Sequence, residues 1–258
     1  MISRKSTVGG VFISRSTGAL LMGLLSVTAV AGVVSPALGV VTIVPDNGFG
    51  TADLPPVPGT YLTPTGDMHI IDGLPPGTTI DIDATLGAFF NRLEVVGGTL
   101  GGNKQNFQGT LTMPLVGTGT LAGFSRNASL TVTAETHSAP RTLGSPVQSF
   151  NTDMFTLQGQ ITSDPDFDLL RVTAGTGFGL PSPGQTTLYQ MGSNWAVDSF
   201  FDVTYRIDFV GAPGGHVAGM SGSTTRTVRF ATEPVPEPST LVLLIAGGIG
   251  LLAYAWRR

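Results

Sequence analysis

From Phe201 to Phe209 the chain alternates without a break. Phe201, Val203, Tyr205, Ile207 and Phe209 fall on one side of an extended chain, and Asp202, Thr204, Arg206 and Asp208 on the other. A period of two over nine residues calls for one buried and one wetted face, as in an antiparallel sheet packed on one side. The pattern recurs in shorter pieces. In Thr79-Ile-Asp-Ile-Asp-Ala84 the isoleucines oppose the aspartates, and in Ala128 to Thr136 the residues Leu130, Val132 and Ala134 oppose hydroxyls and Glu135. Met68 to Ile71, Arg92 to Val96, Gln108 to Val116, Gly119 to Phe124, Leu169 to Thr173 and Ser223 to Phe230 read as further strands. Turn-forming runs such as Asp72-Gly-Leu-Pro-Pro-Gly77 and Gly97-Gly98 stand between them. The spacing predicts roughly eight to eleven antiparallel strands and an all-β fold, a two-sheet sandwich or jelly roll. Leu86 to Leu93 is the one stretch with helical spacing. Residues 40–66, with Pro45, Pro55, Pro56, Pro58 and Pro64, read as a Pro/Gly-rich lead-in to a domain over 67–232.

Two apolar runs break this pattern, one at each end. Arg4, Lys5 and Arg15 precede Ala19 to Val34, and small residues follow in Ser35-Pro-Ala-Leu-Gly39. A basic start, an apolar segment and small residues after a proline describe a secretory signal-peptide helix over 1–39, with cleavage after Gly39 or Ala37. At the other end, Glu233-Pro-Val-Pro-Glu-Pro-Ser-Thr240 leads into Leu241 to Trp256 and then Arg257-Arg258. Pro236 and Pro238 bar a helix from starting before Ser239. The uncharged run beyond gives about 24 Å of helix at 1.5 Å per residue. With Thr240 and snorkelling arginines it reaches membrane length, so a transmembrane helix is expected over 240–256. Arg257 and Arg258 give that span a cytoplasmic end.

Pro236-Glu237-Pro238, an apolar span and a terminal arginine pair, in that order, resemble the PEP-CTERM sorting signal of exosortase-processed bacterial proteins. The resemblance is confined to the tail over 233–258. It implies export, an intermediate anchored in the inner membrane, cleavage by an exosortase near Pro236, Glu237 and Pro238, and delivery to the cell surface or an extracellular matrix. Exosortase and the secretion machinery are the partners it implies.

Composition narrows what the exported part can do. Between Gly39 and Ser239 eight basic residues face 17 acidic ones, and Lys104 is the single lysine there. Such an acidic surface is not drawn to nucleic acid or anionic lipid. The chain has no cysteine, which excludes disulfides, thiolate metal sites and cysteine nucleophiles.

Candidate chemistry is sparse. Asp164, Asp166 and Asp168 stand at alternate positions, as calcium ligands often do. The glycine and glutamate that close an EF-hand loop are replaced by Leu169 and Gly175, so an acidic turn before a strand is the simpler reading. His69, His137 and His216 lie far apart in sequence, and no G-x-S-x-G occurs. Trp195 with Tyr189 offers a sugar-stacking platform on a sheet face, against a plain role for Trp195 in capping the core. The reading that follows is an exported, non-enzymatic structural protein of the surface or matrix, without cofactor. Two alternatives stand beside it: a module binding exopolysaccharide, and a secreted glycoside hydrolase using two of the carboxylates.

Overall fold

The alternating segments become strands with almost no other regular structure between them. A computed structural model describes residues 41–232. The signal peptide expected over 1–39, the span over 240–256 and the sorting residues Pro236, Glu237, Pro238, Arg257 and Arg258 lie outside the described residues. Twelve strands form among the described residues: β1 Thr42–Pro45, β2 Tyr61–Leu62, β3 Met68–Ile70, β4 Ile80–Ile82, β5 Thr85–Val96, β6 Asn103–Gly117, β7 Ser125–Ser138, β8 Val147–Thr162, β9 Phe167–Ala174, β10 Pro183–Met191, β11 Asn194–Gly211 and β12 Ser221–Ala231. No helix among the described residues is long and apolar enough to cross a membrane.

Every pairing is antiparallel, and all the strands belong to one sheet. Following the hydrogen bonds from β7 through β8, β9, β11, β12, β2, β5 and β6 leads back to β7. The expected pair of separate sheets is therefore one sheet closed on itself, a barrel. Strand length is the physical reason. β8 and β11 run for 16 and 18 residues, long enough to change neighbours along their course. Val147 to Asp153 of β8 pair with β10, and Leu157 to Thr162 pair with β9. β11 divides its two halves between the same two strands. β9 and β10 thus fill one slot end to end, and closing the sheet leaves few exposed edges.

The core follows the alternation. Phe201, Val203, Tyr205, Ile207 and Phe209 are all buried within the barrel, beside Leu111, Met113 and Leu115 of β6 and Leu130 and Val132 of β7. A second, smaller core lies under the β1–β11–β10–β8 stretch, built from Val44, Leu54, Phe150, Leu188, Trp195 and Val197. Much of the Pro/Gly-rich stretch is packed into these two cores. Thr42 to Pro45 pair with Val197 to Asn194, and Ala52, Leu54 and Tyr61 are buried. Burial pushes the Tyr61 phenol up to about 12, partly opposed by its hydrogen bond to Ser199.

Leu86 to Leu93, the stretch with helical spacing, is part of β5. The strand is bulged twice, and Ala88 and Asn91 take left-handed φ values of 47° and 50°. Each bulge inserts a residue, so the apolar positions recur at helical spacing within a strand. Gly119 to Phe124, expected as a strand, is a 3₁₀ turn at Gly119–Leu121 and a bend that buries Leu121 and Phe124.

One hydroxyl fastens β3 to the barrel. Tyr205 Oη accepts the His69 amide at 3.1 Å and donates to the His69 carbonyl at 3.2 Å. Tyr205→Phe removes both bonds and keeps the ring. It is expected to lower the unfolding free energy by about 1–2 kcal/mol, read as a lower denaturant midpoint at unchanged slope.

Candidate functional site

A cleft of about 540 Å³ opens between the 47–53 loop, the end of β5 and the segment after β7. Local chemistry builds the first wall. Asp46 Oδ1 accepts the Gly48 amide at 2.7 Å, and Asn47 Oδ1 accepts the Phe49 amide at 3.0 Å. These are the side-chain-to-backbone turns that Asx residues favour. Gln148 on β8 then holds the loop down, accepting from Thr51 Oγ1 at 2.8 Å and donating to the Gly50 carbonyl at 2.6 Å. A side chain at Gly50 would meet the Gly144 backbone at 2.9 Å, at a φ of +69°. The loop therefore lies flat against its neighbour and lifts Phe49 into solvent, 75% exposed. Leu143 and Val96, 60% and 90% exposed, line the same cleft.

Its polar groups converge on Arg141, whose side chain is only 4% exposed. Nη1 donates to the Ala52 carbonyl at 2.7 Å and Nη2 to Glu94 Oε1 at 3.0 Å, while the guanidinium sits 5.0 Å from the Phe150 ring centre. Burial pushes its pKa down, and the charges of Glu94 and Asp53 oppose that shift. Asn103 also donates to Glu94 Oε1, and Asp53 Oδ1 accepts from Asn47 at 3.0 Å. Nε of Arg141 is buried with no partner among the described residues. Arg141 carries only a faint signal in the chain. It is one of few charges in a chain that is 12% charged, set between Pro140 and Pro146. Phe49, flanked by two glycines, carries no comparable signal.

The residues singled out for sugar stacking do not form one surface. Trp195 lies in the second core, 1% exposed, with Nε1 donating to Asp46 Oδ2 at 2.8 Å. Tyr189 is half-buried and pairs with Ala196, so it projects from the opposite face of the sheet to Trp195.

The three aspartates are likewise not gathered. Asp164 pairs with Arg126 and accepts the Asp166 amide, and Asp168 is exposed. Asp166 Oδ1 accepts the His216 amide at 3.0 Å and lies 2.9 Å from His216 Nδ1. No group of three or more His, Asp or Glu side chains among the described residues is placed to hold a metal. The hydrogen bond from the His216 amide is the main cause holding Asp166 below its ordinary 3.8. The Arg229 side chain does the same for Asp202. Such groups add stability above their unfolded value and lose it as pH falls through the depressed folded one. The melting temperature is therefore expected to begin falling below about pH 4. In Asp202→Asn that fall should be shallower, as thermal scans between pH 2 and 6 would show.

One further cluster has the outline of a nucleophile and base. His137 Nε2 lies 2.7 Å from Glu135 Oε1, and Nδ1 lies 2.8 Å from Thr99 Oγ1. The Thr99 amide also donates to Nδ1, at 3.2 Å. The lone pair a general base needs is therefore shared with a backbone N–H. The ring is stacked on Phe155 at 4.3 Å, and Gly98 lies so close that a Cβ there would sit 3.0 Å from the imidazole. This is how a clamp on the β5–β6 loop is built.

Beyond Thr232 the chain enters its tail, where residues 234–258 match the family model of the PEP-CTERM protein-sorting motif. The chain carries a PEP-CTERM sorting motif. It is an exported protein sorted through exosortase to the cell surface or beyond. The PEP-CTERM match covers the tail and leaves the barrel unassigned. No curated protein and no solved structure matches the chain.

Proposed function

We propose that this PEP-CTERM protein is a non-catalytic structural component of the cell surface or extracellular matrix. A signal peptide over 1–39 directs export, the span over 240–256 holds an intermediate in the inner membrane, and exosortase cuts near Pro236-Glu237-Pro238. The observation that carries this reading is the sorting motif at residues 234–258, directly after a domain whose last described residue is still bonded into the sheet. The Thr232 amide donates to the Ser199 carbonyl at 2.8 Å, and Thr232 Oγ1 accepts the Ser199 amide at 2.9 Å. The tripeptide follows within a few residues, so the barrel itself is the cargo.

The use of the polar groups supports a role without catalysis. Glu94 and Asp53, the two carboxylates lining the cleft, each have one oxygen engaged, Glu94 Oε1 by Arg141 and Asn103 and Asp53 Oδ1 by Asn47. His137 serves as a clamp and His216 is joined to Asp166. Intact-mass measurement of material released by the native host tests the sorting step. The expected product lacks the residues after Pro238. A released protein still ending in Arg258 would refute processing.

A further inference from the structure

We propose that the cleft beside Phe49 binds an uncharged pyranose unit of a polysaccharide. The inference goes beyond the sorting and structural roles above, and it rests on three properties of the cleft. The first is a water-exposed apolar wall, formed by Phe49, on a loop that Gln148 holds down, together with Leu143 and Val96 from the neighbouring segments. An exposed aromatic ring beside aliphatic groups suits the C–H face of a sugar ring. A simple ion has nothing to offer that wall.

The second is an excess of acceptors. Oδ1 of Asp53 and Oε1 of Glu94 are engaged, whereas Oδ2 and Oε2 receive no donor among the described residues. A ligand that displaces water from them has to bring hydroxyl or amine donors, since an acceptor left bare is costly. A lipid chain brings none. The third is charge. Two carboxylates face one guanidinium, which is itself buried and paired with Glu94. The surface a ligand meets is therefore net negative and repels a uronate or phosphate. Sugars with free hydroxyls and no acidic group meet all three conditions, and the volume of about 540 Å³ lies within the usual range of 300–1,000 Å³ for small-molecule sites.

The test uses the full-length chain in a zwitterionic detergent without a sugar headgroup, so that its outcome does not depend on tail processing. Calorimetric titration with neutral hexasaccharides of glucose, mannose and galactose is expected to show binding by at least one. A mannuronate hexamer should bind at least roughly tenfold more weakly. Phe49→Ala should weaken the neutral sugar roughly tenfold or more at unchanged melting temperature, because the ring is mostly in solvent. Asp53→Asn, which keeps an acceptor but removes the charge, should narrow the gap between neutral and acidic hexamers. Binding by none of the neutral hexamers, equal or tighter binding of the uronate, or unchanged affinity in Phe49→Ala would each overturn the proposal.

Discussion

Trp195→Ala is expected to lower the unfolding free energy by about 3–5 kcal/mol, the cost of emptying a buried indole site. Three things are lost together. The indole fills the second core among Val44, Leu54, Phe150 and Leu188. It stands opposite Val44, where β1 is stitched to β11. Its Nε1 holds Asp46, the residue that turns the chain toward Phe49. Trp195→Phe keeps most of the volume and gives up the Asp46 bond, so a much smaller loss is expected. Chemical denaturation of the two variants beside the parent separates these contributions. Equal losses would mean that the hydrogen bond, rather than packing, decides the cost. Because that bond is the main cause holding Asp46 below its ordinary range, Trp195→Phe should also let the Asp46 carboxyl rise, which NMR titration reads directly.

The second large effect is expected at Arg141. Arg141→Met preserves the length and apolar bulk of the side chain and removes the charge and its donors. It is expected to cost about 2–4 kcal/mol, the lower figures applying because Glu94 keeps some contact with water. Most of the loss comes from what stays behind, the Ala52 carbonyl without its donor and the Glu94 carboxylate without its counter-charge. Adding Glu94→Gln should then recover part of the stability, a sign of coupling that a double-mutant cycle measures. Arg141→Lys is not a conservative change here. A single ammonium group lacks the planar fork that reaches Ala52 and Glu94 at once. Its melting temperature is expected between those of the parent and Arg141→Met.

These two residues also mark where the fold was and was not readable in the chain. The unbroken alternation around Tyr205 located the buried face of β11, because a strand with one wet side writes its period directly into the sequence. β5 was obscured by its own bulges, since two inserted residues turn a period of two into spacing like that of a helix. The lead-in was obscured by composition. Its prolines and glycines speak of turns, and nothing local records that Leu54 and Tyr61 are buried under distant strands. Closure of the sheet was unreadable for a related reason. It depends on β8 and β11 outrunning their neighbours, and pattern reading trims each strand to its regular part. The tail was the opposite case, a signal contained in a few consecutive residues. The cleft was the least legible of all, because Phe49, Glu94 and Arg141 are brought together from three separate parts of the chain.

The two ends of the barrel also meet. Thr42 pairs with Val197, and Thr232 is bonded to Val197 and Ser199. Entry and exit thus lie side by side along one edge of β11, separated by roughly the two-residue repeat of a strand, about 7 Å. A chain arranged in this way is open to circular permutation. A short linker from Thr232 to Thr42, with new termini cut into the exposed turn at Gly192, is expected to yield the same barrel. The position ahead of the sorting tail is then expected to work as a cassette. Other domains whose ends lie equally close are expected to take its place, and the barrel is expected to survive insertion into a surface loop of an unrelated host.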